Sequence, residues 1–417
     1  MTAPHRARVG DDGVVGYDVE AVRARFPALA EGAAHFDGPG GSQVPDVVAD
    51  AVAGTLRSAV ANRGSVTMAE RRADGIVVAA RQAVADLLGA APAGVVFGRS
   101  MTQLTYELAR AMAKGWGGGD EVVVTRLDHD ANIRPWVHAA QAAGASLRWA
   151  DFDRDTGELG VDAVAGVLSE RTRLVAVTGA SNLLGSRPDV RAIADKAHAA
   201  GALVYVDGVH LTPHCFVDVA ALGADFFACS PYKFLGPHLG AVAASPELLA
   251  TLHPDKLLPM PDTVPERFEQ GTLPYELLAG TTAAVDFLAD LVPNYGPRRQ
   301  RLRVSMTALY EHEAALRKRL ERGLSRMPGV RLHGAAGRRR TPTVLFSVDG
   351  VPPRAVYEQL GARGVNAPAG TFYALECARR LGLGDAGAVR AGIAPYTDDA
   401  DVDRLVAAVA ELRRPGG

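Results

Sequence analysis

Lysine is rare in this chain, and one lysine stands where chemistry would want it. Of 45 basic residues only five are lysines, at positions 114, 196, 233, 256 and 318. Lys114 closes a helical pattern, where a cation complements the helix dipole. Lys196 and Lys318 fall on polar faces of amphipathic segments, and Lys256 falls in a polar loop. Lys233 differs, because in CSPYKFLGPHLG (229–240) it follows the apolar run DFFACS and precedes a glycine-rich turn. A Schiff base is one task arginine cannot take over: a guanidinium stays protonated, whereas an amine can become nucleophilic. Other segments that follow apolar runs carry complementary groups. VYVDGVH puts Asp207 at the end of such a run, where an ionised carboxylate calls for a cationic partner such as a protonated pyridine nitrogen. RLDHDANIRPW places His129, and TGASNLLG places Asn182, in equivalent positions. GVVFGRSMTQLTYELA opens a helix at Ser100, Met101 and Thr102, whose free amides and dipole end can cradle a phosphate. Singly these are ordinary features, since a serine at a helix start is usually a cap. Together they supply a phosphate cradle, an imidazole cover, a pyridinium partner and a lysine, the groups that pyridoxal 5′-phosphate needs.

A sheet must bring these loops together. GVVFG (94–98), EVVVTRL (121–127), SLRWADF (146–152), RLVAVTGA (173–180), ALVYVDGV (202–209) and DFFACS (225–230) are short apolar runs, each followed by a loop and a helical pattern. They predict an α/β fold with a mostly parallel sheet covered by helices, with ligands bound at the carboxyl ends of the strands. Upstream, VPDVVADAVAGTLRSAVAN and GIVVAARQAVADLLGA have helical periodicity. HPDKLLPMPDTVPERFEQGTLPY reads as a long loop, followed by helix from Pro274 toward residue 320 with a break at VPNYGPRR. VRLHGA, TPTVLFSVDG, PRAVYEQLGARG, AVRAGIAPY and DVDRLVAAVAEL then read as a smaller α+β unit. The expected organisation is an N-terminal segment, 1–40, packed on the small domain, a large cofactor-binding domain, 41–290, and a small C-terminal domain, 291–417.

Bulk properties exclude other classes. A net charge of −2 gives no field for nucleic acid and no polybasic membrane anchor. No apolar run reaches the roughly 18–20 residues of a membrane span, and the N-terminus lacks a hydrophobic signal core, so a cytoplasmic enzyme is expected. Cys215, Cys229 and Cys377 have neither paired nor metal-ligand spacing, so no metal is expected. No GxxxxGK[ST] loop is present, and neither GPGGS nor GWGGGD sits between a strand and a helix as a dinucleotide fingerprint would.

From FDGPGGSQVP to DVDRLVAAV the motif order resembles the fold-type I pyridoxal-phosphate enzymes of the class V aminotransferase group, nearest to the cysteine desulfurase-like proteins. The resemblance implies that Lys233 bonds covalently to the cofactor. Asp207 would pair with the pyridine nitrogen, and His129, in DHDA, would stack on the ring. His210 and Asn182 would lie near the ring hydroxyl. The Met101 amide, Thr102, Ser230 and Tyr232 would hold the phosphate, with Tyr232 standing where many desulfurases have histidine. Thr272, in EQGT, resembles a phosphate contact donated by a second subunit, which implies a homodimer with shared active sites. Arg390, in AVRAGIAPY, would clamp the carboxylate of a small amino-acid substrate. Arg63 and Tyr373 would line the substrate pocket beside Asn182.

One departure bears on the reaction. Desulfurases carry a nucleophilic cysteine in the loop before that arginine, but here the loop reads NAPAGTFYALECARRLG, with Tyr373 or its neighbours in the cysteine's place. Cys377 comes later, within a helical pattern, as a packing residue. The resemblance is therefore to a subfamily lacking the desulfurase cysteine. A C–S lyase acting by β-elimination on cysteine or an S-substituted cysteine conjugate is the expected activity. Transamination, epimerisation and decarboxylation-dependent oxidative deamination are the alternatives, followed by persulfide-forming desulfuration and a non-catalytic scaffold.

Overall fold

The computed structural model describes residues 16–334 and 339–412. The first fifteen residues of the expected N-terminal segment lie outside these. Thirteen strands run in chain order: β1 (Ala34–His35), β2 (Val95–Gly98), β3 (Glu121–Thr125), β4 (Ser146–Ala150), β5 (Thr172–Thr178), β6 (Leu203–Asp207) and β7 (Phe226–Cys229). They continue as β8 (Gly240–Ala244), β9 (Val330–His333), β10 (Thr343–Val348), β11 (Val365–Asn366), β12 (Ala369–Gly370) and β13 (Ala388–Gly392). β2 through β8 form one seven-stranded sheet in the order β2-β8-β7-β6-β5-β3-β4. β8 is antiparallel to both its neighbours, and the other pairings are parallel. Every residue of β3, β7 and β8 is buried, as expected of strands covered by helices on both faces.

The chain lays down β3 and β4 toward one edge and β5, β6 and β7 toward the other, so the order reverses between β3 and β5. At such a switch point the loops at the carboxyl ends diverge and leave a crevice. The loops after β3, β5, β6 and β7 carry His129, Asn182, Gly208 to His210, and Lys233.

β8 was not anticipated. Its residues, GAVAA, directly follow the glycine-rich turn and are poor strand formers on their own. It forms because it fills the gap between β2 and β7. The helical stretch from Pro274 is two helices, Tyr275–Ala289 and the 28-residue Arg298–Ser325, interrupted at the expected place.

Beyond residue 325 the chain forms an antiparallel sheet in the order β12-β13-β10-β9. β1 pairs in parallel with β11, and Ala34 and Phe36 join the apolar cluster of Phe346, Val389 and Leu405. β13 carries Arg390 with all five strand residues buried.

Candidate active site

Local sequence fixes most of the functional side chains just beyond strand ends and Arg390 within β13. The helix Met101–Ala113 is capped by Ser100, whose hydroxyl accepts from the Gln103 amide at 3.1 Å. The cap leaves the Met101 and Thr102 amides without a partner among the described residues. The strand β8 runs immediately beneath this helix start. A Cβ on Gly240 would lie 2.1 Å from the Ser100 carbonyl carbon and 2.2 Å from the Met101 nitrogen, so only glycine permits the approach.

His129 begins a short 3-10 turn, and its Nδ1 accepts from the Ala131 amide at 3.0 Å. Burial, with the nearby Lys233 and Arg390 charges, pushes its pKa down to about 3, so the ring is neutral and its proton resides on Nε2. Behind it, the buried Asp128 accepts from Asn132 at 2.6 Å and from the Thr125 hydroxyl. Burial pushes the Asp128 carboxyl up to about 8.

Asp207 ends β6 with one oxygen accepting from the Val209 amide at 2.9 Å. Burial raises its proton affinity, since it has no ion-pair partner among the described residues. His210 is buried: its Nε2 meets the hydroxyls of Thr343 (2.9 Å) and Thr341 (3.1 Å), while its Nδ1 has no partner. Lys233 lies just beyond β7. Burial first, then Arg390, lowers its pKa to about 8, with Asp207 opposing. Arg390 is buried, and burial lowers its guanidinium to about 9.

These groups meet in one cavity of about 500 Å³, lined by Thr102, His129, Asn182, Tyr232, Lys233 and Arg390, with Phe372 and Tyr373 at its mouth. A deeper hollow shares Thr102, His129, Asn182, Tyr232 and Lys233 and adds Met101, Asp207 and His210. Ser230 Oγ, Asn182 Oδ1, His210 Nδ1 and Arg390 Nε are buried without a hydrogen-bond partner. A protein seldom tolerates four such atoms together unless a bound group satisfies them. Pyridoxal 5′-phosphate suits this donor set: a phosphate for the helix amides and Ser230, a ring hydroxyl for Asn182 or His210, and a ring cation for Asp207.

Ser230, Arg63 and Thr272 line neither hollow, Thr272 being expected in the second subunit's site rather than in that of its own chain. Arg63 does not line the cavity, because its guanidinium is held by Asp74 at 2.8 Å and Glu266 at 3.2 Å. Thr272 opens onto a separate cavity of about 420 Å³, with Arg99, Gln103 and His238. Cys377 sits in the helix Leu375–Arg380, fully buried, and burial pushes its thiol well up, so it packs. Phe372, which the sequence suggests as part of an aromatic entrance beside Tyr373, lies with its ring centroid 3.8 Å from the Arg390 guanidinium carbon.

The class V aminotransferase description matches residues 34–405. An uncharacterised protein of Mycobacterium tuberculosis is 38% identical over 95% of this chain and 100% of its own length. The aminotransferase-like protein FGM3 of Gibberella zeae is 33% identical over 94% of this chain and 98% of its own. Among solved structures, the cysteine desulfurase CsdA of Escherichia coli superposes with a TM-score of 0.83 at 28% identity, covering 94% of this chain and 98% of that one. No helix among the described residues is long and apolar enough to cross a membrane. With its fold-type I architecture, this chain belongs to the class V aminotransferase family of pyridoxal 5′-phosphate-dependent enzymes.

Proposed function

We propose that the protein is a C–S lyase acting on cysteine or, better, on an S-substituted cysteine conjugate. The observation that carries this is a cavity that gathers cofactor-handling groups and has no thiol in its lining: Cys215, Cys229 and Cys377 are all buried, and none lines the cavity. Without a thiol, sulfur cannot be taken up by the protein and must leave with its own substituent.

Lys233 would bond to the cofactor, Asp207 would pair with its ring nitrogen, and neutral His129 would cover the ring. His210 and Asn182 would serve the ring hydroxyl. The Met101 amide, Thr102, Ser230 and Tyr232 would hold the phosphate. When bound, the cofactor supplies an electron sink for charge developing at the substrate's Cα. Arg390 would anchor the carboxylate and so orient the bonds at the substrate's Cα. Lys233, with its proton affinity lowered to about 8, can take the Cα proton near neutral pH. Phe372 and Tyr373 keep the mouth aromatic and leave room for a substituent on sulfur. The balance is R–S–CH2–CH(NH3+)–COO− plus water giving RSH, pyruvate and ammonium.

A homodimer completes the site in this reading, with Thr272 donated by the second copy. Exposed Leu56, Val66, Met68, Leu257 and Leu258 offer apolar surface for that contact. A second reading, amino-group transfer, is favoured by the aminotransferase-like relative. Incubation with L-cysteine, S-methyl-L-cysteine and S-benzyl-L-cysteine, each with 2-oxoglutarate present as an amino-group acceptor and with products followed by mass, separates the two. Thiol with pyruvate supports elimination, a keto acid that retains its sulfur substituent supports transfer, and absence of both thiol and pyruvate from every conjugate rejects the lyase.

A further inference from the structure

The loop that replaces the desulfurase cysteine has an unusual backbone. Phe372 and Tyr373 both lie in the left-handed region, with φ of 53° and 58°. For L-residues each such position costs roughly 1–2 kcal/mol, and bulky side chains seldom adopt it. Strain of this kind persists where surrounding contacts enforce it, and here they do. The Phe372 carbonyl accepts from Asn182 Nδ2 at 2.9 Å, and the Tyr373 carbonyl accepts from the Asp130 amide at 2.7 Å. The Phe372 ring then stacks on Arg390, while Arg390 Nη1 donates to the Asn182 carbonyl at 2.9 Å. Asn182, Phe372 and Arg390 thus close a three-membered circuit.

The circuit leaves one edge of the guanidinium free. Nη1 is committed, whereas Nε is buried without a partner. Nη2 faces the Pro39–Gly40 wall, where a Cβ on Gly40 would come within 3.6 Å of it. Nε and Nη2 form the parallel pair of donors that a carboxylate takes bidentately. A guanidinium held by one hydrogen bond can still swing about that bond. A ring against its face removes that freedom.

We propose that Phe372 is a positioning residue that presents the Nε–Nη2 edge of Arg390 to the substrate's carboxylate, and so sets how strongly the enzyme prefers an amino acid over the corresponding amine. This rests on Arg390 being the carboxylate anchor, and the test separates the two ideas. The holoenzyme and its Phe372→Leu, Phe372→Tyr and Arg390→Gln variants are titrated with S-benzyl-L-cysteine and with 2-(benzylthio)ethylamine. Dissociation constants come from the cofactor absorbance, and KM and kcat from turnover of the acid. Phe372→Leu lowers the acid-over-amine affinity ratio roughly three- to thirtyfold, the range a stacked cation contributes. The loss falls on KM, with kcat within about twofold, and Phe372→Tyr restores it. An unchanged ratio in Phe372→Leu, together with a collapsed ratio in Arg390→Gln, overturns the positioning role alone. An unchanged ratio in Arg390→Gln overturns the anchor itself. Phe372→Met, which keeps bulk without a π face, substitutes if the leucine variant melts much earlier than the parent.

Discussion

Replacing Arg390 with glutamine should change the acid–base behaviour of Lys233 with no cofactor or substrate bound. Lys233 falls from its ordinary 10.5 to about 8 through burial first and Arg390 second, with Asp207 acting in the opposite direction. At pH 7 a group with pKa near 8 is about one part in eleven unprotonated, against about one in three thousand for an ordinary lysine. That roughly 300-fold range is the ceiling, because burial persists in the variant. Removing the second contribution moves the pKa upward by a fraction of the total, so the neutral amine at pH 7 falls roughly three- to thirtyfold. The assay is the rate at which apoprotein combines with pyridoxal 5′-phosphate, followed by absorbance from about pH 6.5 to 10, since only the neutral amine condenses. The midpoint of the rate profile moves up in Arg390→Gln and down in Asp207→Asn, which removes the opposing contribution. A midpoint that stays fixed in both variants, or that moves the same way in both, would refute the electrostatic coupling of the three groups.

Two more outcomes follow from buried groups. Glu269 is held by Arg81 at 2.6 and 2.8 Å and by the Phe97 amide at 2.8 Å, all buried, so Glu269→Ala removes the buried counter-charge of Arg81 and takes the acceptor from the Phe97 amide. Arg81 is left the Val95 carbonyl at 2.6 Å and the half-buried Glu266 at 3.5 Å. A loss of about 3–5 kcal/mol in denaturant unfolding of the apoprotein is expected, and a loss below about 1 kcal/mol would count against the buried pair. Cys377→Ala should leave turnover unchanged while costing about 1 kcal/mol for the small cavity, and a tenfold loss of turnover at unchanged stability would give that thiol a chemical role.

Six of the seven strands of the large sheet could be read from the sequence because they are β-rich runs bounded by turn residues, and in the central strands burial on both faces demands an apolar composition, whereas the edge strand β4 leaves Ser146 and Arg148 exposed. Once the sheet is predicted, its loops follow, which is why Asp207, His129, Asn182, Lys233 and the Met101 helix start could be grouped before any coordinates. β8 escaped because alanine and glycine carry no strand signal, and only the space between β2 and β7 makes GAVAA a strand. Arg63 was misplaced for a related reason. Its partners Asp74 and Glu266 lie 11 and 203 residues away, and no spacing rule reveals that they hold its guanidinium outside the cavity.

Phe372 and Arg390 show where that boundary falls. The family resemblance points to Arg390, the central residue of β13, as a carboxylate clamp, and the forked guanidinium suits that role. Which two of its three nitrogens remain available depends on a carbonyl 208 residues away and on a ring held in a backbone conformation that phenylalanine seldom adopts. The type of chemistry is thus local to a residue and its motif, whereas its direction is a property of the assembled loops. The proposed elimination would be set apart from desulfuration in those loops, because the strand ends beneath them carry the groups proposed to hold the cofactor.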